Sequence, residues 1–476
     1  MRTGTVAAVD LGATSGRVIV GSVGPEQLET TTVARFPNDP VFAGDGLHWD
    51  ILGLYGAALG GLREALRQAP DLVSVGVDSW AVDYGLLRQK GPEGGRLLGN
   101  PFHYRDERTT RGIAAVHGRL PHAELFERNG LQFLPFNTLY QLAAEPADVL
   151  GFADIALLVP DLIGYWLTGV ARAEVTNAST TGLLRWLDRA WDDALIDRLG
   201  LPRALFPAPI TPGEHLGPLR GSVAASLGGR TDVVAVGSHD TASAVVAVPM
   251  QADAAAYISC GTWGLVGVEV ERPVLTPAAL SANFTNEGGV DGRVRLLHNV
   301  MGLWILSETV RGWERGGHAQ DLSALLDAAA EVPSERVPVF DVNDPRFLPP
   351  GDMPARIDAW CAEHDVAAPT TPAEYTRAIV ESLAQAFADA VATAARLGGV
   401  DVRKIHVVGG GALNTLLCQR TADRSGLPVL AGPVEATALG NVLVQARAAG
   451  LVSGSLEALR DLVGRTHAPR AYAPRG

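Results

Sequence analysis

The amino-acid sequence predicts an α/β protein built from two similar domains. The chain has 476 residues, whereas one hydrophobic core seldom serves more than about 250 to 300 residues. Residues 6–23 have the pattern of strand, glycine-containing turn and strand, and residues 255–270 repeat it roughly halfway along the chain. Two such openings indicate a duplicated α/β domain.

Helices and further strands follow each hairpin, which makes both halves mixed α/β. In the first half, an amphipathic helix is predicted over residues 51–67 and strands within residues 71–87. In the second half, a helical pattern over residues 372–399 begins with proline and ends with glycine. The strand KIHVV, residues 404–408, then leads into three glycines and a helix that Gly426 closes. A strand, glycine loop and helix in succession favour phosphate or nucleotide binding.

Composition and charge exclude several classes of protein. Hydrophobic residues make up 47% of the chain and charged residues 19%, as in a packed globular protein. The net charge of -13 argues against a nucleic-acid partner, because phosphate backbones need a basic face. The three cysteines are widely spaced, the N-terminus lacks a signal pattern, and no uncharged apolar run reaches about 18 residues. A cytoplasmic protein without a membrane span is therefore predicted.

The commoner nucleotide-binding motifs do not occur in the sequence. A P-loop needs GK[ST], yet the only lysines, Lys90 and Lys404, stand outside such a motif. The lysine, H-R-D and D-F-G motifs of protein kinases and the HExxH of zinc hydrolases are also missing. Residues 409–414 come closest to a dinucleotide fingerprint, but the sixth position is Asn414 and no fitting acidic partner follows.

The segment DLGATSGR, residues 10–17, is a candidate phosphate site. Asp10 ends a predicted buried strand, and two glycines bracket Thr14 and Ser15. Small residues let backbone N–H groups approach phosphate oxygens, and an aspartate there can hold hydrated Mg²⁺ beside the transferred group. Ordinary polar hairpin turns share this short pattern, so both interpretations stay open at this point.

The segment GSHDTASA, residues 237–244, is the candidate catalytic segment. It follows the apolar run VVAV, which sets His239 and Asp240 at a strand's carboxyl end, where ligands gather in α/β proteins. A sugar hydroxyl is a weak nucleophile, and a carboxylate such as Asp240 can accept its proton during phosphoryl transfer. His239 is then expected to bind other sugar hydroxyls. The alternatives are a helix cap for Asp240 and a core histidine for His239.

Three further segments offer hydroxyl or backbone groups to a nucleotide. CGTWG, residues 260–264, presents Thr262 in the second hairpin turn, while VGGGALN, residues 408–414, and EATALGN, residues 435–441, combine close backbone approach with a helix N-terminus. Each alone is also compatible with plain loop or cap chemistry. Together with residues 10–17 and Asp240 they form an ordered set that indicates phosphoryl transfer.

With these residues in view, the chain resembles the FGGY carbohydrate kinases, a family with the actin, Hsp70 and hexokinase superfold. The resemblance covers nearly the whole chain, and it implies two RNase H-like domains, residues 1–246 and 247–476, with mixed sheets flanked by helices, a hinge near residues 245–254 and a cleft between the domains. The segments that carry it, besides those above, are YRDERT (104–109), FLPFNTLYQL (133–142), TNASTTGLL (176–184), NEGG (286–289) and HNVMGLW (298–304).

The resemblance also implies an ATP- and Mg²⁺-dependent kinase that phosphorylates L-rhamnulose at O1, as a monomer or homodimer. Asp240 is implied as the proton acceptor, and Asp10 is the candidate Mg²⁺ ligand. The implied sugar contacts are Ala81, Ser238, His239 and Asp240. The implied nucleotide contacts are Ala13, Thr14, Ser15, Gly16, Arg17, Thr262, Asn299, Ser307 and Gly410.

Three other functions compete with this interpretation. Another FGGY kinase, acting on L-fuculose, L-xylulose or glycerol, would share the phosphate machinery and differ in the sugar pocket. An actin- or Hsp70-like regulatory ATPase would turn over ATP without sugar. A dehydrogenase would bind NAD tightly and is disfavoured by the glycine spacing.

Overall fold

The computed structural model describes residues 3–89, 95–186 and 188–475, and the chain forms two compact units. The first unit consists of Met1–Pro249, Val270–Arg295 and Ala436–Thr466, and the second of Met250–Glu269, Leu296–Glu435 and His467–Gly476. Both units are thus assembled from separate stretches of chain, whereas the sequence predicts two consecutive domains. The domain limits at residues 246 and 247 stay a prediction.

The strands have the following bounds: β1 Gly4–Leu11, β2 Ser15–Gly24, β3 Gln27–Pro37, β4 Pro40–Ala43, β5 Gly46–Trp49, β6 Ser74–Ser79, β7 Tyr84–Gln89, β8 Gly95–Leu97, β9 Ile155–Leu158, β10 Ala173–Glu174, β11 Pro209–Ile210, β12 His215–Pro218, β13 Asp232–Val234, β14 Ala255–Cys260, β15 Trp263–Val270, β16 Thr285–Gly288, β17 Val294–Met301, β18 Lys404–Val408, β19 Val429–Ala431 and β20 Arg470–Tyr472.

The α-helices have the following bounds: α1 Ile51–Gln68, α2 Thr109–His117, α3 His122–Asn129, α4 Thr138–Ala143, α5 Ala147–Phe152, α6 Val159–Thr168, α7 Val175–Ala178, α8 Asp193–Leu199, α9 Gly221–Leu227, α10 Asp240–Val246, α11 Pro277–Ser281, α12 Trp304–Arg315, α13 Leu322–Ala330, α14 Met353–Glu363, α15 Pro372–Gly398, α16 Thr415–Ser425, α17 Ala436–Ala448 and α18 Leu456–Thr466.

The first unit is built on a mixed sheet with the strand order β12-β13-β6-β1-β2-β3. Strand β1 runs antiparallel to β2 and parallel to β6, and β6 runs parallel to β13. All of β6 and most of β1 are buried, as expected for parallel strands covered on both faces. Helix α1 packs on β2 and β3, and its start is capped by Asp50, whose side chain accepts a hydrogen bond from Gly53 N.

A second hydrophobic cluster of the first unit lies within residues 84–206. It joins strands β7 and β9 of the small sheet β8-β7-β9 to helices α2, α3, α4, α5 and α8. Its centre includes Leu120, Tyr140, Leu183 and Leu205, each no more than 1% exposed. The helices of this stretch are short, so its hydrophobic periodicity does not predict a separate cluster.

The second unit repeats the sheet arrangement of the first. Its strands follow the order β17-β15-β14-β18-β19-β20, with β14 antiparallel to β15 and parallel to β18, and with β18 parallel to β19. This matches the relation of β1 to β2, β6 and β13. The two similar hairpins seen in the sequence thus open two similarly wound sheets, and the predicted α/β fold with mixed sheets is confirmed.

Helix α15 is the longest helix of the second unit. By length and mean hydropathy, 1.2 in its most apolar window, it meets the criteria for a membrane span, but 67% of that window is buried inside the protein. It also carries the buried ion pair between Arg377 and Glu381, whose Nε and Oε1 lie 2.9 Å apart. Burial and an internal ion pair are typical of a core helix.

The secondary-structure predictions are confirmed with small shifts of the ends. The hairpins predicted at residues 6–23 and 255–270 are β1–β2 and β14–β15. The strands predicted within residues 71–87 are β6 and the start of β7, and the helices predicted at residues 51–67 and 372–399 are α1 and α15. The strand predicted at residues 404–408 is β18, and the helix predicted before Gly426 is α16.

Helix α17 completes the first unit from the far end of the chain. Gln445 donates a hydrogen bond from Nε2 to the carbonyl of Ala7 in β1 (2.9 Å) and accepts one from Ser74 of β6 (2.7 Å). On the neighbouring face, α17 approaches α10 so closely that a Cβ on Gly440 would lie 1.8 Å from the carbonyl oxygen of Ser243. Only glycine fits at this crossing.

We expect Gly440→Ala to lower the free energy of unfolding by about 1 to 3 kcal/mol, because the added methyl group must push α17 away from α10. Urea unfolding followed by circular dichroism measures the change. Gly60→Ala is the matched control, since a Cβ at Gly60 in helix α1 meets no atom within 4 Å. That variant should be neutral or more stable by up to about 1 kcal/mol. Equal effects of the two substitutions would contradict the close crossing.

Candidate functional site

Three aspartates of the first unit lie at the carboxyl ends of neighbouring strands. Asp10 and Asp78 are paired in register near the ends of the parallel strands β1 and β6. The chain after β13 continues alongside β6, where Ser79 N donates to Ser238 O (2.9 Å) and Ser79 pairs with His239 in a parallel bridge. Asp240 follows directly. The carboxyl ends of parallel strands meet at one sheet edge, which is where α/β proteins bind ligands.

The Asp10 carboxylate forms an ion pair with Arg17 across the β1–β2 hairpin. Arg17 Nε and Nη2 lie 2.8 and 2.7 Å from Oδ2. The turn between the strands is closed by Gly12 N donating to Ser15 O (3.0 Å), and Asn38 Nδ2 donates to Gly12 O (2.8 Å). The predicted phosphate turn is therefore a braced hairpin, in which Thr14 is exposed and Asp10 is 4% exposed.

Asp78 is fully buried beneath this edge. Its Oδ2 accepts a hydrogen bond from Asn441 Nδ2 of helix α17, and within the described part of the chain its Oδ1 has no hydrogen-bond partner. Burial, followed by the nearby Asp10 charge, raises the pKa of Asp78 well above its ordinary value. The sequence does not mark Asp78 as a site residue, because an aspartate within a strand-forming run gives no spacing signal.

Asp240 is the first residue of helix α10, and its side chain is 30% exposed. Its Oδ1 accepts hydrogen bonds from Thr241 N and Oγ1, at 2.6 and 3.2 Å. Burial, with a further contribution from the Asp10 charge, raises the pKa of Asp240, whereas the adjacent His239 acts in the opposite direction. A partly exposed carboxylate with a raised pKa has the properties of a general base.

A buried glutamate fixes the backbone just before Asp240. Glu174 Oε2 accepts hydrogen bonds from Ser238 N and Ser238 Oγ, both at 2.9 Å. The same carboxylate caps helix α7, since Thr176 N donates to Oε1 (2.9 Å) and Asn177 N to Oε2 (3.3 Å). Ser238 is thus oriented by Glu174, which the sequence analysis missed although it lies two residues before the segment at 176–184.

His239 is buried within a chain of charged groups. Its Nε2 lies 3.4 Å from Asp240 Oδ1, and its Nδ1 lies 3.0 Å from Arg295 Nη2 and 3.4 Å from Glu287 Oε2. Arg295 is fully buried and also donates from Nε to Gly288 O (3.0 Å). Glu287 belongs to the NEGG segment, residues 286–289, so this segment contacts the candidate catalytic segment at His239.

Ala81 begins a tight turn after β6. Val82 has a φ of +68°, a left-handed value that is rare for a β-branched residue, and Asp83 N donates to Ala81 O at 2.9 Å. Thr138 Oγ1 donates to Val82 O (2.7 Å) and so helps to hold this strained backbone. Strain of this kind is commonly found at ligand sites, and here it presents the half-buried Ala81 at the end of β6.

Asp83 gathers four donors from different segments. Its Oδ2 accepts from Trp49 Nε1 (2.6 Å), Trp80 Nε1 (3.0 Å) and Tyr104 N (3.2 Å), and its Oδ1 accepts from Gln141 Nε2 (2.8 Å). Burial raises the pKa of Asp83 to about 7, while these hydrogen bonds act in the opposite direction. Asp83 therefore ties β5, the Ala81 turn, the YRDERT segment and helix α4 together. No motif in the sequence indicates this role.

In the second unit, the β14–β15 turn lies against the glycine loop after β18. A Cβ on Gly411 would lie 2.3 Å from Cys260 Sγ, so the loop packs on the end of β14 only as glycine, whereas a Cβ on Gly410 would meet no atom within 4 Å. Gly410 is exposed. Its backbone therefore faces open space, as a phosphate or nucleotide contact requires.

The other predicted nucleotide residues of the second unit surround the start of helix α12. Trp304 N donates to Thr262 O (3.2 Å), which brings Thr262 to the N-terminus of this helix. Ser307 is exposed on the first turns of α12, and Asn299 is half-buried on β17, the strand next to β15. A helix N-terminus with nearby hydroxyl groups favours anion binding.

Two residues of the segment EATALGN make contacts inside the first unit. Ser243 of α10 lies where a side chain on Gly440 would be. Asn441 Nδ2 donates to the buried Asp78, and the nucleotide contact expected for this segment stays a prediction. Both residues serve the packing of α17 in the first unit, because a glycine and an amide on neighbouring helical positions suit a close, polar helix–sheet contact.

Two family models match this chain. The model for the FGGY family of carbohydrate kinases, N-terminal domain, matches residues 5–247, and the model for the C-terminal domain of the same family matches residues 256–449.

Curated relatives match over nearly the full length. A rhamnulokinase from Pectobacterium carotovorum subsp. carotovorum (strain PC1) is 42% identical over 482 residues, covering 100% of this chain and 94% of the relative. A rhamnulokinase from Klebsiella pneumoniae (strain 342) is 42% identical over 444 residues, covering 92% of this chain and 88% of the relative.

Solved structures share the fold at much lower identity. A ligand-bound xylulose kinase from Lactobacillus acidophilus is 16% identical with a TM-score of 0.78, covering 99% of this chain and 94% of its own. A glycerol kinase from Plasmodium falciparum, solved with ADP, is 13% identical with a TM-score of 0.76 and the same two coverages, 99% and 94%. These likenesses establish the fold.

We expect Asp83→Asn to lower the free energy of unfolding by about 1 to 3 kcal/mol, because one of its two acceptor oxygens becomes a donor that faces another donor. Gln141 cannot simply turn its amide around, since Nε2 also donates to Phe136 O (2.9 Å). Urea unfolding measures the loss. The control is Asp341→Asn, an exposed aspartate that accepts from Asn343 N, and it should change stability by less than about 0.5 kcal/mol. A stable Asp83→Asn variant would contradict the four-donor arrangement.

Proposed function

Because this chain belongs to the FGGY family of carbohydrate kinases, we propose that it transfers the γ-phosphoryl group of ATP to O1 of L-rhamnulose. The observation that carries this substrate assignment is the identity to proteins named rhamnulokinase along the whole chain. The chain is a carbohydrate kinase. We propose both the choice of sugar and the roles of single residues.

We assign Asp240 as the general base that accepts the proton of the sugar hydroxyl. Its Oδ1 already accepts two hydrogen bonds from Thr241, so we assign Oδ2 to accept the proton of the attacking O1 hydroxyl. The raised pKa supports this role, because a more basic carboxylate takes a hydroxyl proton more readily. Ala81, Ser238 and His239 are assigned to the other sugar hydroxyls, since they lie beside Asp240 or at the end of β6.

Asp10 and Asp78 suit a magnesium ion that accompanies ATP. Mg²⁺ prefers oxygen ligands and is commonly held by one or two carboxylates together with phosphate oxygens and water. Asp10 lies at the sheet edge, and the buried Asp78 Oδ1 is without a partner in the described residues. When bound, Mg²⁺ neutralises the charge that develops on the transferred phosphoryl group. Arg17 meanwhile holds the Asp10 carboxylate in one orientation.

For the nucleotide contacts in both units, we propose the same residues that the sequence predicts. In the first unit we assign Ala13, Thr14, Ser15, Gly16 and Arg17 to phosphate contacts, which the braced hairpin turn supports. In the second unit we assign Thr262, Asn299, Ser307 and Gly410, which the exposed Gly410 backbone and the N-terminus of α12 support.

We further propose that the enzyme works in the cytoplasm. All three cysteines, Cys260, Cys361 and Cys418, are free thiols and buried, which suits a reducing compartment. The assignment to L-rhamnose catabolism follows from the proposed substrate.

A coupled assay of ADP release tests the substrate assignment. The purified protein is supplied with ATP, Mg²⁺ and one of L-rhamnulose, L-fuculose, L-xylulose or glycerol. The highest kcat/KM is expected for L-rhamnulose. A higher value for another acceptor would replace the sugar in this proposal, and ATP turnover that needs no sugar would favour the regulatory ATPase.

We expect Asp240→Asn to lower kcat by about 10²- to 10⁴-fold while ATP binding, measured by isothermal titration calorimetry, stays intact, because only the proton acceptor is lost. The wild-type kcat should also fall on acidification at a pH above the ordinary aspartate range, since the base must be unprotonated and its pKa is raised. Asp232→Asn, on the half-exposed carboxylate in β13, is the control. Near-normal turnover of Asp240→Asn would overturn the assignment.

A further inference from the structure

A fully buried arginine stands behind the histidine next to the proposed base. Arg295 is 0% exposed, and Glu287 and His239 are 6% and 5% exposed. Taking a guanidinium out of water is costly unless its N–H groups find acceptors. Two acceptors are identified among the described residues, Gly288 O at 3.0 Å from Nε and His239 Nδ1 at 3.0 Å from Nη2, and Glu287 Oε2 lies 3.2 Å from Nη2 as an ion-pair partner.

The contact between Arg295 and His239 has a chemical consequence. A guanidinium has five N–H donors, has no acceptor and does not lose its proton in proteins. The hydrogen bond of 3.0 Å between Nη2 and Nδ1 therefore requires Nδ1 to be the acceptor. A histidine whose Nδ1 accepts carries its ring proton on Nε2.

We propose that Arg295 is a positioning residue that fixes the tautomer of His239, so that the ring proton sits on Nε2 and faces Asp240. Nε2 lies 3.4 Å from Asp240 Oδ1. The N–H group thus lies on the side of the ring nearer the base, where it can donate to a sugar oxygen when sugar is bound.

Glu287 offers a competing arrangement, in which Nδ1 carries the proton and donates to Oε2. The geometry disfavours it, because Nδ1 lies 3.4 Å from Glu287 Oε2 but 3.0 Å from Arg295 Nη2. A proton on Nδ1 would confront an arginine N–H at hydrogen-bond distance. Nη2 instead donates to Nδ1 and forms an ion pair with Glu287 Oε2 at 3.2 Å. On the remaining sides, Asp240 faces Nε2, and Thr176 Oγ1 lies 3.5 Å from the backbone N of His239.

The effect on the reaction rests on the proposed function. With Oδ1 of Asp240 held by Thr241 and close to the Nε2–H group, Oδ2 is left to take the hydroxyl proton. With the other tautomer, Nε2 would present a lone pair to a carboxylate oxygen, and the two would repel. Fixing the proton on Nε2 thus keeps the base oriented.

The experiment reads the tautomer directly in the sugar-free enzyme. Histidine labelled with ¹⁵N gives distinct nitrogen resonances for ring nitrogens with and without a proton, and His239→Gln assigns the signals of this residue. In the wild type near pH 7.5 we expect an unprotonated Nδ1 and a protonated Nε2. A protonated Nδ1 would overturn the proposal.

Two variants separate the roles of arginine and glutamate. Glu287→Gln keeps the Arg295 contact and should leave the proton on Nε2. Arg295→Met combined with Glu287→Gln removes both buried charges together, which avoids leaving one of them unpaired. This double variant should shift the proton toward Nδ1 and lower kcat by about 10- to 100-fold, as is usual for lost supporting contacts, with ATP binding unchanged.

Each outcome decides for or against the proposal. A change of the His239 tautomer in Glu287→Gln alone would show that Glu287 determines the tautomer, and this would overturn the proposal. An unchanged tautomer in the folded double variant would also overturn it. Circular dichroism checks that each variant is folded. The resonances are recorded without substrate, so the tautomer result does not depend on the activity of Asp240→Asn. If Asp240→Asn keeps its activity, the assignment of the base fails, but the effect of Arg295 on the His239 tautomer stands.

Discussion

The parallel pairing of β6 with β1 on one side and β13 on the other is the constraint on which the first unit depends. In parallel strands the carboxyl ends share one edge, so residues that are distant in the chain arrive together. The register Asp10 to Asp78 and the bridge from Ser79 to His239 are direct results of that pairing. A shift of one residue would turn Asp78 to the opposite face of the sheet.

Polar groups from elsewhere in the chain hold this edge in place. Glu174 fixes Ser238, Asp83 fixes the turn at Ala81, and Asn441 reaches Asp78 from helix α17. Each of these side chains is buried and hydrogen-bonded, because a buried polar group without a partner would cost stability. The supports come from three separated segments, so the sheet edge and its surroundings can form only when the first unit is complete.

Much of the local structure could be predicted from the sequence, since it depends on neighbouring residues. The hairpin at β1 and β2, the capped helix α1 and the strand–glycine–helix at β18 have strong local signals in β-branched runs, an aspartate cap and glycines. Asp10 and Asp240 could be predicted as site residues because each follows an apolar strand. Asp78, Asp83 and Glu174 could not, since a single carboxylate within an apolar run does not reveal which donors will surround it.

The sequence by itself determined the fold class, the two similar hairpins and the family, because periodicity, turn residues and motif order are properties of the chain. Only the tertiary structure decided that α17 joins the first unit, that Gly440 packs on Ser243, and that Arg295 meets His239. Those contacts join residues 56 positions apart for the arginine and histidine and about 200 for the helices. Their formation depends on burial and on the strand register, which local sequence does not specify.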